Sequence, residues 1–228
     1  MATTGSSASD PHRDQPVSHF GEPLDHAQGA VILLHGRGGS AEDILSLAQP
    51  LYHPKLAYLA PQAANQTWYP NSFMAPIEQN QPWLDSALRK VEATIKVVTD
   101  AGITADRILL GGFSQGACLA TEFVASHPRR YAGLIALTGG LIGPPGSDLA
   151  HTGSLAGMPA FLGSGDPDPH VPFERVQQSA TVLTNMGASV TVRRYPGRSH
   201  TITPEELDFG RRLVQGAFNN LDSPSHGG

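Results

Sequence analysis

The chain has 228 residues, 39 % of them hydrophobic, with 15 lysines and arginines against 20 aspartates and glutamates for a formal net charge of −5. That is enough apolar side chain for one sizeable core, while the acidic balance and the lack of a basic block exclude a protein that tracks nucleic-acid phosphates. The single cysteine excludes an internal disulfide framework and a cysteine-based zinc cage, and the longest apolar run, Ala30–Leu34, is far short of the roughly 20 residues that span a bilayer.

Residues 1–26 are small, polar and proline-bearing, and they lack the apolar stretch of an export signal. They read as a disordered tail, as do residues 223–228. Residues 27–222 read as one domain without internal repeats, in a soluble, cytoplasmic protein that does not insert into membranes.

In chain order, Ala30–Leu34 is a buried-strand run that ends at His35-Gly36-Arg37-Gly38-Gly39, and Ser40 caps a helix with Asp43 three residues on. Lys55–Ala60 is a second strand, stopped by Pro61. Leu84, Leu88, Val91, Ile95 and Val98 recur at helical spacing and mark one face of an amphipathic helix that ends near Gly102. Arg107–Leu110 is a strand, residues 115–126 a helix, and Leu134–Leu137 and Pro159–Gly163 further strands. Phe173, Val176, Ala180 and Leu183 mark a helix closed by Gly187, and Val190–Tyr195 alternates as a strand. Thr203-Pro204-Glu205-Glu206 combines an N-cap, a proline at the first helical position and a capping-box glutamate. Strands alternating with helices predict an α/β fold with a mostly parallel, doubly wound sheet and helices on both faces. Chemistry is then expected on the loops after the strand ends.

Gly112-Phe113-Ser114-Gln115-Gly116 fits G-x-S-x-G. Eighteen serines and 25 glycines would give about 0.2 such matches by chance, so the pentapeptide alone is weak. Its context strengthens it, because a strand runs directly into the motif and a helix follows, which raises the serine on a strained turn at the helix N-terminus. The competing reading is an ordinary glycine-rich turn of a Rossmann-type sheet, against which stands the missing G-x-G-x-x-G phosphate signature. A serine needs a base, and ten histidines compete. His12, His19, His26 and His226 fall in the two tails. His53 and His127 precede prolines and read as solvated turns, His35 as a loop-shaping residue, and His151 as part of a Gly/Ser-rich connection. His200, on the loop between a strand end and a well-signalled helix, is the best placed, the alternative being a surface-loop histidine. The base needs a carboxylate to fix its tautomer. Asp166 and Asp168 share one post-strand loop, and spacing does not decide between them. The order Ser114, Asp, His200 is that of α/β-hydrolases.

At these residues the chain resembles the phospholipase/carboxylesterase group of the α/β-hydrolase superfamily, relatives of acyl-protein thioesterases. Four landmarks over about residues 29–222 carry the resemblance: Leu34-His35-Gly36-Arg37-Gly38-Gly39, Gly112-Phe113-Ser114-Gln115-Gly116-Ala117, Gly165-Asp166-Pro167-Asp168-Pro169-His170-Val171-Pro172, and Tyr195-Pro196-Gly197-Arg198-Ser199-His200. It implies a compact α/β-hydrolase fold without a large cap, Asp168 as the acid, and an oxyanion hole from the backbone N–H groups of Arg37 and Gln115. The Arg37 charge, where relatives often carry an apolar residue, is expected to bias the site towards acidic or polar substrates. Cysteine replaces the elbow serine in dienelactone hydrolases, and Ser114 counts against that assignment. Cys118 reads as a small buried residue. The loop 67–83 holds both tryptophans and reads either as a flap over the substrate or as a cover for the sheet edge, with Trp68, Tyr69 and Phe73 expected nearest the substrate. The implied activity is a serine carboxylesterase acting on short- to medium-chain esters of small molecules, with no metal or cofactor. The alternatives are an acyl-thioesterase or lysophospholipase using the same three residues, or a ligand-binding relative without turnover. The resemblance also allows a homodimer.

Overall fold

The structure, a computed structural model, describes residues 10–219. Its strands are β1 (Val17–Gly21), β2 (Gly29–Leu34), β3 (Leu56–Pro61), β4 (Ile108–Phe113), β5 (Gly133–Leu137), β6 (Pro159–Asp166) and β7 (Ser189–Pro196). They form one sheet in the order β1-β3-β2-β4-β5-β6-β7, with β1 antiparallel and every other pair parallel. The helices are α1 (Ala41–Leu45), α2 (Trp83–Asp100), α3 (Gln115–Ser126), α4 (Phe173–Asn185) and α5 (Pro204–Phe218).

Side chains along a strand point alternately to the two faces, and β2 displays this directly. Ala30, Ile32 and Leu34 join a core shared with α2, α3 and α4, while Val31 and Leu33 join a second core with α1 and α5. Both faces of the central strands are therefore covered, which is why they read as continuous apolar runs. Of the five predicted positions on α2, Leu84, Val91, Ile95 and Val98 are buried, each worth roughly 1.5–3 kcal/mol of transfer free energy, and Leu88 is partly buried against the same core. The caps at Ser40 and Thr203 form as expected, each a complete capping box, with Pro204 opening α5.

Residues 10–26 correct the expectation of a disordered tail. Val17–Gly21 pairs with β3, His19 opposite Leu59. Upstream, the chain packs on α2 and the loop before it. Nδ1 of His12 accepts the Ala64 N–H at 3.0 Å, its Nε2–H donates to the Trp68 carbonyl at 3.0 Å, and its ring lies 5.4 Å from those of both Trp68 and Trp83. Asp10 accepts from Ser86 Oγ at 2.5 Å and from Arg89 at 3.2 Å, and the Lys90 ammonium donates to the Gln15 carbonyl. The segment carries no apolar signal because polar contacts rather than a hydrophobic run anchor it, and β1 is mostly exposed. Residues 1–9 and 220–228, including the predicted tail at 223–228, lie outside the described residues.

Two further histidines depart from expectation. His53 is buried, its N–H donating to Tyr58 Oη at 2.8 Å, and His127 is half-buried, its ring stacked on Phe123 at 4.4 Å. Among the described residues no helix is long and apolar enough to cross a membrane.

Burial holds the His12 imidazole below its usual value of 6.5, and likewise that of His35. The neutral rings contribute stability that is complete above the unfolded value and lost as the pH falls below it, because the unfolded chain then binds protons the folded one refuses. The melting temperature is expected to fall between pH 7.5 and pH 5. His12→Ala leaves the Ala64 N–H without its acceptor, which is expected to cost about 1–3 kcal/mol at pH 7.5 and to flatten that decline. Thermal unfolding of both proteins at the two pH values checks this.

Candidate active site

Four loops at the carboxyl ends of β2, β4, β6 and β7 converge. Ser114 sits between β4 and α3 with φ +54° and ψ −118°, a conformation that costs a non-glycine residue about 1–3 kcal/mol. The surroundings enforce it. A Cβ at Gly112 would lie 2.6 Å from the Gly116 carbonyl carbon, and one at Gly116 would lie 2.1 Å from the Leu34 carbonyl oxygen. Only glycine at both places lets β2, β4 and α3 meet backbone to backbone. The Ser114 N–H donates to the Leu137 carbonyl at 2.9 Å, which fixes the turn.

His200 and Asp168 reach this serine from two other strand ends. Nε2 of His200 lies 2.9 Å from Ser114 Oγ, and Nδ1 lies 2.8 Å from Asp168 Oδ2 and 3.1 Å from Oδ1. With Nδ1–H donating to the carboxylate, Nε2 presents its lone pair to the hydroxyl. Burial pushes the Asp168 carboxyl up, but the His170 N–H, the His200 ring and the Val171 N–H outweigh it and hold the group below its ordinary value. It therefore stays ionised beside the imidazole. Asp166, the other candidate, turns outward and pairs with Arg194. The Phe113 ring lies 5.0 Å from that of His200, and His170 approaches it edge-on at 4.9 Å.

On the opposite wall, His35 shapes its loop as expected. Nε2 accepts the Ala63 N–H at 3.1 Å and Nδ1–H donates to the Gly36 carbonyl at 2.8 Å. Among the described residues no acceptor takes the backbone N–H of Arg37 or of Gln115, the first residue of α3. The first N–H groups of a helix lack internal partners, so that of Gln115 is available to an anion beside Ser114.

The Arg37 side chain also braces the neighbouring loop. Its guanidinium donates to Thr67 Oγ1 at 2.9 Å and to the carbonyls of Tyr69 (2.9 Å), Pro70 (3.0 Å) and Asn71 (2.7 Å). Neutral loop acceptors engage the guanidinium, which keeps its positive charge beside the cavity. Gln115 grips the same loop, Oε1 accepting from the Trp68 N–H and Nε2 donating to the Tyr69 carbonyl, both at 2.8 Å. Asn80, fully buried, bridges Asn71 and Ser72. The loop is thus a pinned wall rather than a hinged flap. Tyr69 and Phe73 line a cavity of about 590 Å³ together with Ser114, His200, Phe113 and Val171. Trp68 does not line it: the indole packs between His12 and His35, and its Nε1–H donates to the His35 carbonyl at 2.9 Å. Cys118 lies at the cavity, its thiol pushed up to about 12 by burial and so protonated. Sequence reasoning gave no lining role to Phe113 and Val171, although both stand inside its landmark motifs.

A twisted parallel sheet with a strained serine turn at its centre defines the α/β-hydrolase fold. The model of the phospholipase/carboxylesterase family matches residues 18–215, and the chain belongs to that family. The crystal structure of a phospholipase/carboxylesterase from Dyadobacter fermentans is 45 % identical, covers 91 % of this chain and 99 % of its own, and superposes with a TM-score of 0.86. Acyl-protein thioesterase 1 of Gibberella zeae is 35 % identical over 111 residues, a stretch that spans 48 % of this chain and only 47 % of that protein. Acyl-protein thioesterase 1 of Cryptococcus neoformans is 26 % identical over 82 % of this chain and 91 % of its own. The chain spans about half the length of the first curated relatives it matches.

Arg37→Met keeps the aliphatic stem and removes every donor to the loop. Because small misplacements of a positioned site cost up to ~10²-fold, kcat/KM is expected to fall by about that factor, and limited proteolysis is expected to cut within residues 67–73. Steady-state kinetics on any accepted ester, with peptide mapping, checks both.

Proposed function

We propose that this protein hydrolyses short- to medium-chain carboxylic esters through a covalent acyl-enzyme. The observation that carries the reading is the unbroken hydrogen-bonded chain from Ser114 Oγ through His200 to Asp168 at the edge of a cavity with both polar and apolar walls. A free serine hydroxyl is a poor nucleophile at neutral pH, and an adjacent imidazole with its lone pair directed at the hydroxyl removes that barrier.

In this reading Ser114 Oγ attacks the ester carbonyl carbon while His200 Nε2 takes the proton. Asp168 holds the ring in place and stabilises the imidazolium. The N–H groups of Arg37 and Gln115 stabilise the oxyanion, with the positive end of α3 behind them, and losing one such donor typically costs about 3–4 kcal/mol. Collapse expels the alcohol, which receives the proton from His200. Water then attacks the acyl-enzyme by the same relay and frees the acid and Ser114. None of these steps uses a metal or cofactor.

The cavity volume falls within the roughly 300–1,000 Å³ of small-molecule sites. Phe73, Phe113 and Val171 on its walls favour an apolar acyl group, and a volume of about 590 Å³ suits a short or medium chain. The names of the two thioesterase relatives favour a second reading, hydrolysis of an acyl thioester by the same residues.

A series of p-nitrophenyl esters from acetate to laurate, set beside acyl thioesters of matched length, separates the two. Maximal kcat/KM on a short or medium ester is expected, and a clear preference for long-chain thioesters would replace the first reading with the second. Ser114→Ala is expected to lower kcat by about 10⁶-fold and Asp168→Asn by about 10⁴-fold, with Asp166→Asn close to wild type. Turnover that survives Ser114→Ala would contradict both readings.

A further inference from the structure

An ion pair that none of these steps uses lies beneath the loop carrying His200. The side chains of Arg198 and Glu206 meet with 8 % and 0 % of their surface exposed. A second arm of the guanidinium donates to Thr138 Oγ1 at 2.7 Å, just beyond β5, and Thr138 is itself buried at φ +56°, with its N–H donating to the Gly163 carbonyl at 2.7 Å. The guanidinium also lies 5.1 Å from the centre of the Tyr195 ring on β7. β6 makes room for the pair. A Cβ at Gly165 would come 2.6 Å from the Arg198 carbonyl oxygen, and one at Gly163 would come 2.6 Å from Glu206 Oε1. Arg198 therefore ties together the ends of β5, β6 and β7 and the first turn of α5.

Stability alone does not account for this arrangement. A buried ion pair recovers its desolvation cost only with good geometry and full hydrogen bonding. Here Arg198 Nε, Glu206 Oε1 and Tyr195 Oη are buried without partners. Nor does the helix cap require the arginine, since Glu206 already accepts from the Thr203 N–H at 2.9 Å and from Thr203 Oγ1 at 3.1 Å. What the pair does fix is the backbone two residues ahead of His200.

We infer that Arg198, held by Glu206, is a positioning residue that sets the His200 loop so that the imidazole stands between Asp168 and Ser114. The inference rests on the reading of His200 as the base. Arg198 touches neither substrate nor reacting atoms. It acts through the position of a ring that must meet two partners at once.

The test is a double-mutant cycle on a p-nitrophenyl ester. Arg198→Met with Glu206→Gln removes both charges together, so no uncompensated ion remains buried, and glutamine preserves the capping box. This pair of changes is expected to lower kcat by about 10²-fold with KM altered less than about 3-fold. Made in a His200→Ala background it is expected to cost no more than about 2-fold, because the ring through which it acts is gone. Arg198→Lys, which keeps the ion pair but cannot hold Thr138 and Glu206 in one planar fork, is expected to recover part of the activity. A loss of the same size in the His200→Ala background, or a loss seen in KM and not in kcat, would overturn the inference while leaving the base assignment intact. Wild-type turnover by His200→Ala would overturn both.

Discussion

The site is organised by a contact that contains no side chains. At Gly112 and Gly116 the backbones of β2, β4 and α3 come too close for even a methyl group. This closeness forces Ser114 into its positive-φ turn, and the turn sets the hydroxyl at the head of α3. An alanine at either glycine would have to part β2 from the elbow, and the serine would move with it. The strain at Ser114 is held in place by strands that are buried on both faces, so the cost of the elbow is borne by the core.

Around that fixed hydroxyl the remaining groups arrive on loops, and each loop is tied down by polar contacts. The loop after β2 is braced by the His35 ring on one side and by the Arg37 guanidinium on the other. The wall at 67–73 is held by Arg37, Gln115 and Asn80. The loop after β6 closes through the Asp168 carboxylate, which accepts the N–H groups of His170 and Val171 as well as that of His200. In the proposed reading one residue serves both chemistry and architecture: among the described residues the Arg37 N–H has no protein acceptor, while its side chain binds the wall. Catalytic geometry of this kind requires support of this kind, because a preorganised site loses its advantage if the donors must move during the reaction.

The sequence made the central sheet legible because buried parallel strands leave continuous apolar runs and α2 a clean helical period. The serine elbow was legible for a related reason, since the glycines that permit backbone contact are part of the motif. His200 was found by its place between a strand end and a capped helix. Choosing Asp168 over Asp166 was beyond spacing alone; it came from family resemblance, and the structure separates the two by direction, one inward to His200 and one outward to Arg194. The N-terminal strand escaped notice because an antiparallel edge strand anchored by His12, Asp10 and the backbone carries no periodic apolar signal. Trp68 was misplaced for the opposite reason. An aromatic in a long loop looks like a substrate contact, yet its indole is satisfied by the His35 carbonyl and by two histidine rings. The role of the Arg37 side chain could not be read at all, because its acceptors are carbonyls of residues some thirty positions away.

The most direct test of the account is to catch the acyl group on the protein. Rapid mixing with a p-nitrophenyl ester, acid quench and intact-mass measurement should show a transient gain of one acyl group, mapped by peptide analysis to Ser114 and suppressed when His200 is replaced by alanine. A protein that releases the acid with no acyl adduct at any time, or that carries it on a residue other than Ser114, would contradict the claim that this hydroxyl is the nucleophile.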